Sequence, residues 1–150
     1  MTDGISMLGI IQASGSSLAL SARGIGPFVL YLGLMVAFVS VHLSIYMKVT
    51  AHDELRLIRE GNLSAALSTV GAMLGLAVPL TSVVSMTGFL LETVLWAVVA
   101  LLVQLGAYFA ARLVVKDLSA RIDRGEIAAG LWVAGVSLTA GLLQAVCMKP

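Results

Sequence analysis

Apolar residues run through this chain in four long stretches, and the charged positions gather between them. Residues 24–47 contain no Asp, Glu, Lys or Arg, and neither do 61–91, 93–111 or 127–148. Each stretch meets or exceeds the roughly 18 residues a helix needs to cross a bilayer core. The pattern predicts four transmembrane helices near 26–48, 63–84, 93–114 and 127–148, with polar loops at 49–62 and 115–126 and a short connection at 85–92. Within the first loop, Thr50 suits a helix N-cap, Asp53 and Glu54 suit the first turn, and Gly61 suits the left-handed position that ends a helix. A short interfacial helix with Leu55, Leu57 and Ile58 on its apolar side is therefore expected, followed by a sharp return into the membrane. Asn62 then caps the next span.

The second loop repeats this plan. A shift of 64 residues carries Asp53 onto Asp117, Ile58 onto Ile122, Gly61 onto Gly125, Ala65 onto Ala129, Gly71 onto Gly135 and Leu74 onto Leu138. Self-similarity at a long period is the mark of a duplicated structural unit. The expected architecture is an all-α integral membrane protein. Repeat 1 covers 26–88 and repeat 2 covers 89–150, each with two spans around a charged loop, and a short interfacial segment at 1–25 precedes them. That segment lacks the basic start of a secretory signal, since only Asp3 stands ahead of its apolar core.

Composition agrees: 59% of residues are hydrophobic and 11% charged, with a mean hydropathy of +1.03. Soluble domains hold roughly 25% charged residues, so that class is excluded. A net charge of +1 without a basic stripe gives nucleic acid nothing to bind. Placement of charge says more. Lys48, Arg56 and Arg59 flank the first loop and Arg112, Lys116, Arg121 and Arg124 the second, leaving only Arg23 and Lys149 on the other side. The positive-inside bias puts both loops in the cytoplasm and both termini outside. Two spans per unit give both copies one orientation, so the repeats are parallel.

Candidate chemistry is sparse. Cys147 is the only cysteine, and no metal-ligand or redox spacing occurs, so neither a metal nor another cofactor is expected. Asp53, Glu54, Arg56, Arg59, Asp117 and Arg121 form mixed-charge loops that either stay simply solvated or dock a soluble partner or lipid head groups. Inside the bilayer, Gln104 needs a hydrogen-bond partner on another helix. Its repeat mate Ser40 suggests a paired internal position, and Gln144 poses the same question nearer the outer face. His42 is the one ionisable group clearly within a span. It reads as a packed histidine or a proton-sensing one, because no span supplies the acid that a catalytic triad needs. Ser64, Ser68, Gly71 and Gly75 line one face of the second span, and Gly130, Ala134, Ser137, Gly141 and Gln144 one face of the fourth. These small-residue seams would be left to pair protomers, and Gly135 is read as a further packing glycine. Pro79 should kink the second span and free a carbonyl one turn earlier.

Residues 52–67 (HDELRLIREGNLSAAL), followed by Gly71, Gly75 and 77–80 (AVPL), carry a resemblance. With Trp96, 103–105 (VQL), Arg121, Ile122, Gly125 and 141–145 (GLLQA), the pattern over 26–148 resembles the bacterial family catalogued as domain of unknown function 350, the YjfL-like inner-membrane proteins. Gln144 departs from it, since the family pattern has Asn there, but an amide is kept. The resemblance implies a four-span inner-membrane protein of two tandem copies with no transferable activity. It also implies an association with membrane-stress gene clusters and phage-shock-type peripheral proteins. The expected function is a non-enzymatic oligomeric scaffold that recruits a partner in envelope stress. The alternative is an oligomeric ion channel or small-solute transporter lined by Gln104, Ser40, Gln144 and the Pro79 kink. Expected partners are the lipid bilayer, further copies of the chain and a cytoplasmic peripheral membrane protein.

Overall fold

A computed structural model describes residues 7–50 and 53–148, with side chains from residue 22 onward. Residues 1–6 of the expected N-terminal segment, and Lys149, lie outside the described residues. Six helices follow one another: α1 (Met7–Val49), α2 (Glu54–Arg59), α3 (Leu63–Met86), α4 (Leu90–Val114), α5 (Leu118–Asp123) and α6 (Ile127–Cys147). Among the described residues, four helical stretches are long and apolar enough to cross a membrane: Ala22–Val49, Leu63–Met86, Leu90–Val114 and Ile127–Cys147. These bounds fall close to the sequence-based ones except at the start. Residues 7–25, expected as a separate interfacial segment, are helical and run into α1 without a break.

The chain divides after Leu34 into two units. In the first, Phe28, Val29, Leu30 and Leu32 are exposed, as befits side chains that meet lipid. In the second, α3 and α6 make the most extensive helix pairing, and α4 packs on both. The reason is legible in their small residues. A methyl group on Gly71 would overlap Ala134, one on Gly130 would overlap Ser64, and one on Gly141 would overlap the Gly75 carbonyl. Backbones this close gain dispersion contacts that branched side chains would forbid, which is how helices associate where lipid removes the hydrophobic drive. The two seams therefore close on each other within one chain. They are not left over to pair protomers, as the sequence had suggested. Gly135, also read as a packing glycine, is exposed with open space around it; it points off the seam that Ala134 occupies.

The loops end alike. Gly61 (φ 86°) and Gly125 (φ 79°) adopt the left-handed conformation. Gly61 N donates to Ile58 O and Asn62 N to Leu57 O; Gly125 N donates to Ile122 O and Glu126 N to Arg121 O. Both are the paired closing bonds of a helix stopped by glycine. The starts differ. Asp53, rather than Thr50, caps α2 by accepting from Arg56 N at 3.2 Å, and Thr50 Oγ1 instead donates back to Tyr46 O. Asp117 sits at φ 54° and makes no side-chain cap bond, a conformation its short polar side chain tolerates better than most.

Two apolar clusters divide the second unit by depth. Next to the charged loops lie Tyr46, Leu57, Ala65, Ala72, Tyr108, Ala111, Leu118, Ile122, Ala129 and Val133. Toward the other end, Leu76, Leu80, Ala97, Ala100 and Leu101 pack with Met35, Phe38 and Val39 around them.

Candidate functional site

Three polar features stand out, at three depths. The deepest is a junction on Gln104, which is 1% exposed. Its Nε2 donates to Gly75 O at 2.7 Å and to Ser137 O at 3.2 Å, joining α4 to α3 and α6. The choice of Gly75 follows from Pro79. Proline has no N–H, so the carbonyl four residues earlier loses its helical donor. Gln104 supplies the missing one. An unmatched carbonyl would cost about 1–3 kcal/mol, so the amide and the proline act as one device. Ser40, the expected internal mate of Gln104, is instead exposed and bonds Val36 O of its own helix at 2.7 Å. A serine hydroxyl can satisfy itself locally this way, so the bilayer does not force it inward. Gln144 is buried, and neither amide atom has a hydrogen-bond partner among the described residues.

Between that junction and the loops lies a buried polar cluster. His42 and Tyr46 stand one turn apart on α1, with ring centroids 6.4 Å apart, and Tyr46 meets Tyr108 of α4 edge-on at 5.2 Å. Ser68 of α3 and Glu54 of α2 neighbour the Tyr46 hydroxyl. Sequence reading missed both tyrosines, although the spacings 42/46 and 104/108 put each one turn from a polar residue already singled out. Glu54 is a correction. Expected on the docking face, it is fully buried, because α2 turns its Leu57 side, and Glu54 with it, toward the bundle.

The third feature is the loop surface. Asp53, Arg56, Arg59 and Asp117 are exposed, and Arg121 is half-buried. Asn62 Nδ2 donates to Ile122 O at 2.9 Å and Asp123 O at 3.1 Å while Oδ1 caps α3 at Ala65 N. Ser64 Oγ donates to Glu126 O at 2.8 Å and accepts from Gly130 N. These four cross-loop contacts latch the first loop to the second. Glu126 pairs with Arg121 at 2.6 Å and Arg124 at 2.7 Å, and these guanidinium groups hold its carboxyl below the ordinary range. At the opposite end, a cavity of about 410 Å³ is lined by Thr87, Glu92, Trp96 and exposed Cys147, with Val83, Met86 and Met148. Among the described residues, no group of three His, Cys, Asp or Glu side chains converges as a metal site would require.

The model of a family described as "Domain of Unknown Function (DUF350)" matches residues 19–148. Proteins described as "UPF0719 inner membrane protein YjfL" from Escherichia coli K12 and from Escherichia coli O157:H7 are each 34% identical over 121 residues, covering 81% of this chain and 92% of the relative. No solved structure matches. With most of its length matched by the family model, and with such relatives nearly covered end to end, the chain belongs to the DUF350 family.

Proposed function

We propose that this chain is a non-enzymatic scaffold of the bacterial inner membrane whose latched loops recruit a peripheral partner from the cytoplasm in envelope stress. The observation that carries the reading is the latch. Asn62 and Ser64 tie two charged loops into one platform, so the exposed charges hold fixed relative positions, as a docking surface requires. The positive-inside bias supports a cytoplasmic platform with both termini outside. The inner membrane is the location printed for the similar YjfL proteins. Two parallel tandem repeats fit the matched pair α2 and α5, which coincide under the 64-residue shift down to their glycine stops.

The Gln104 amide favours a scaffold as well, because its N–H groups serve inter-helix bonds instead of a hydrated path. A channel or solute transporter is the second reading, supported by the buried polar cluster but opposed by the apolar layer of Leu76, Leu80 and Leu101 beyond it. Homo-oligomerisation stays within the proposal through faces other than the seams; light scattering that returned a single copy would remove it.

Reversing Asp53, Arg56 and Arg59 together, with buried Glu54 left intact, should abolish recovery of cross-linked partners while membrane insertion is retained. Unchanged recovery of every partner would overturn the scaffold. Flux of ions or small solutes through proteoliposomes, lost in Gln104→Leu, would establish the second reading in its place.

A further inference from the structure

On the charged-loop side of the bundle, α1, α2, α3 and α4 bring ionisable and hydroxyl side chains together where no solvent reaches them. His42 is 2% exposed, Tyr46 1% and Tyr108 3%, and Glu54 is wholly buried. The Tyr108 hydroxyl has no hydrogen-bond partner among the described residues, and the His42 ring and the Tyr46 hydroxyl make no hydrogen bond of good geometry there, their nearest polar groups being the Ala72 backbone and Ser68. His42 precedes Tyr46 by one turn of α1; its ring meets the Ala72 backbone, and the Tyr46 hydroxyl has Ser68 and Glu54 as neighbours. Buried polar atoms normally have partners, and those without one in the protein mark a place where a polar occupant is taken up. An ionisable residue at such a depth is a functional group by default.

The donor set decides which occupant. One imidazole, two phenols, a hydroxyl and one carboxyl do not make a transition-metal site, which draws on several imidazoles or thiolates. They are groups able to bind a proton and, with a polar occupant between them, to pass it: the imidazole accepts, the phenols can donate and accept, and Glu54 stands on the loop helix. The direction of access follows from the layers. Beyond His42 come the Gln104 amide, whose N–H groups are taken by Gly75 O and Ser137 O and whose oxygen is only weakly basic, and then Leu76, Leu80, Ala97, Ala100 and Leu101, which offer a proton no ligand. Glu54, by contrast, belongs to a loop helix.

We propose that His42, Tyr46, Tyr108, Ser68 and Glu54 form a buried proton-binding site that exchanges only with the charged-loop side of the membrane. On uptake, one proton from the loop side passes along the hydroxyls to a His42 ring nitrogen, turning imidazole into imidazolium, with Glu54 at the Tyr46 end of the group. The facing groups are Tyr46 on α1, Glu54 on α2, Ser68 and Thr69 on α3 and Tyr108 on α4. Lys48, Asp53, Arg56, Arg59, Glu60 and Arg112 on the same elements or beside them are exposed.

The test uses the full chain in lipid nanodiscs, labelled with 15N-histidine and carrying His52→Gln, since His52 is the only other histidine. As pH is lowered from about 8 to about 5, the span in which histidine ordinarily titrates, the His42 signal should move reversibly from neutral to protonated. Tyr46→Phe and Tyr108→Phe keep the ring packing and should each change the imidazolium-to-imidazole ratio at fixed pH by at least about fivefold. Glu54→Gln alters the loop end of the group, beside Tyr46, and should change that ratio as well. A His42 ring that stays in one state throughout, or variants that are folded by circular dichroism yet superimpose on wild type, would overturn the proposal. A ratio that changes when sodium is replaced by choline would assign the site to a metal cation instead. Protein reconstituted in one orientation should respond to pH on the loop side alone; a response to the Glu92 side would overturn the one-sided access.

Discussion

Gln104→Leu keeps the bulk of the side chain and removes its N–H groups from two carbonyls. The two losses are unequal. Ser137 O can still be met by the N–H of Gly141, four residues on, whereas Gly75 O has no helical donor because residue 79 is proline. Bonds of this kind contribute about 0.5–1.5 kcal/mol net in proteins, and in membranes they average about 0.6 with a maximum near 1.7. A buried carbonyl stranded beside small residues belongs at the upper end, so the substitution should cost about 1.5 kcal/mol. Pro79→Ala returns the missing N–H. In that background the same Gln104→Leu should cost less than about 0.5 kcal/mol, leaving a coupling of about 1 kcal/mol between residues on different helices. Reversible unfolding of the four proteins in bicelles, by steric trapping or by titration with a denaturing detergent, measures the cycle. Costs that add to within about 0.3 kcal/mol would refute the claim that the amide serves the proline's carbonyl.

The seam makes a sharp contrast among glycines. Gly141→Ala and Gly71→Ala should each destabilise by about 1–3 kcal/mol, since the added methyl meets Gly75 O or Ala134, while Gly135→Ala, with nothing nearby, should stay within about 0.5 kcal/mol of wild type. Glu126 adds a pH dependence. Its carboxyl is held below the ordinary range by Arg121 and Arg124, so its contribution is present above the unfolded value of about 4.3 and is lost as pH falls through the folded value. Wild type and Glu126→Gln should therefore differ in melting temperature at neutral pH and converge as pH falls from the ordinary glutamate value through the lowered folded one. In a Cys147→Ser background, a cysteine at exposed Arg56 should resist an impermeant thiol reagent in intact cells while one at exposed Gly88 reacts; the opposite pattern would reverse the membrane orientation.

Local and one-dimensional features were legible without a fold. Uncharged runs marked the four spans to within a few residues for three of them, because the bilayer filters composition before it filters packing. Gly61 and Gly125 marked the loop ends because a left-handed stop is a property of one residue and its neighbours. The small residues at 64, 68, 71 and 75, and at 130, 134, 137 and 141, were visible as seams. That each would be the other's partner was not, since a stripe of small residues says that something comes close and not which helix does. Gln104 and Pro79 were both conspicuous, yet a shared carbonyl 29 residues away in sequence could join them only once α3 and α4 were packed. Glu54 shows the limit from the other side. In sequence it is one charge among six acidic loop residues. Only the rotation of α2 against the bundle, driven by burying Leu57, carries it inside beside Tyr46. The membrane dictates which segments are helices. Which polar groups those helices enclose is decided by the faces they turn to one another, and that is tertiary structure.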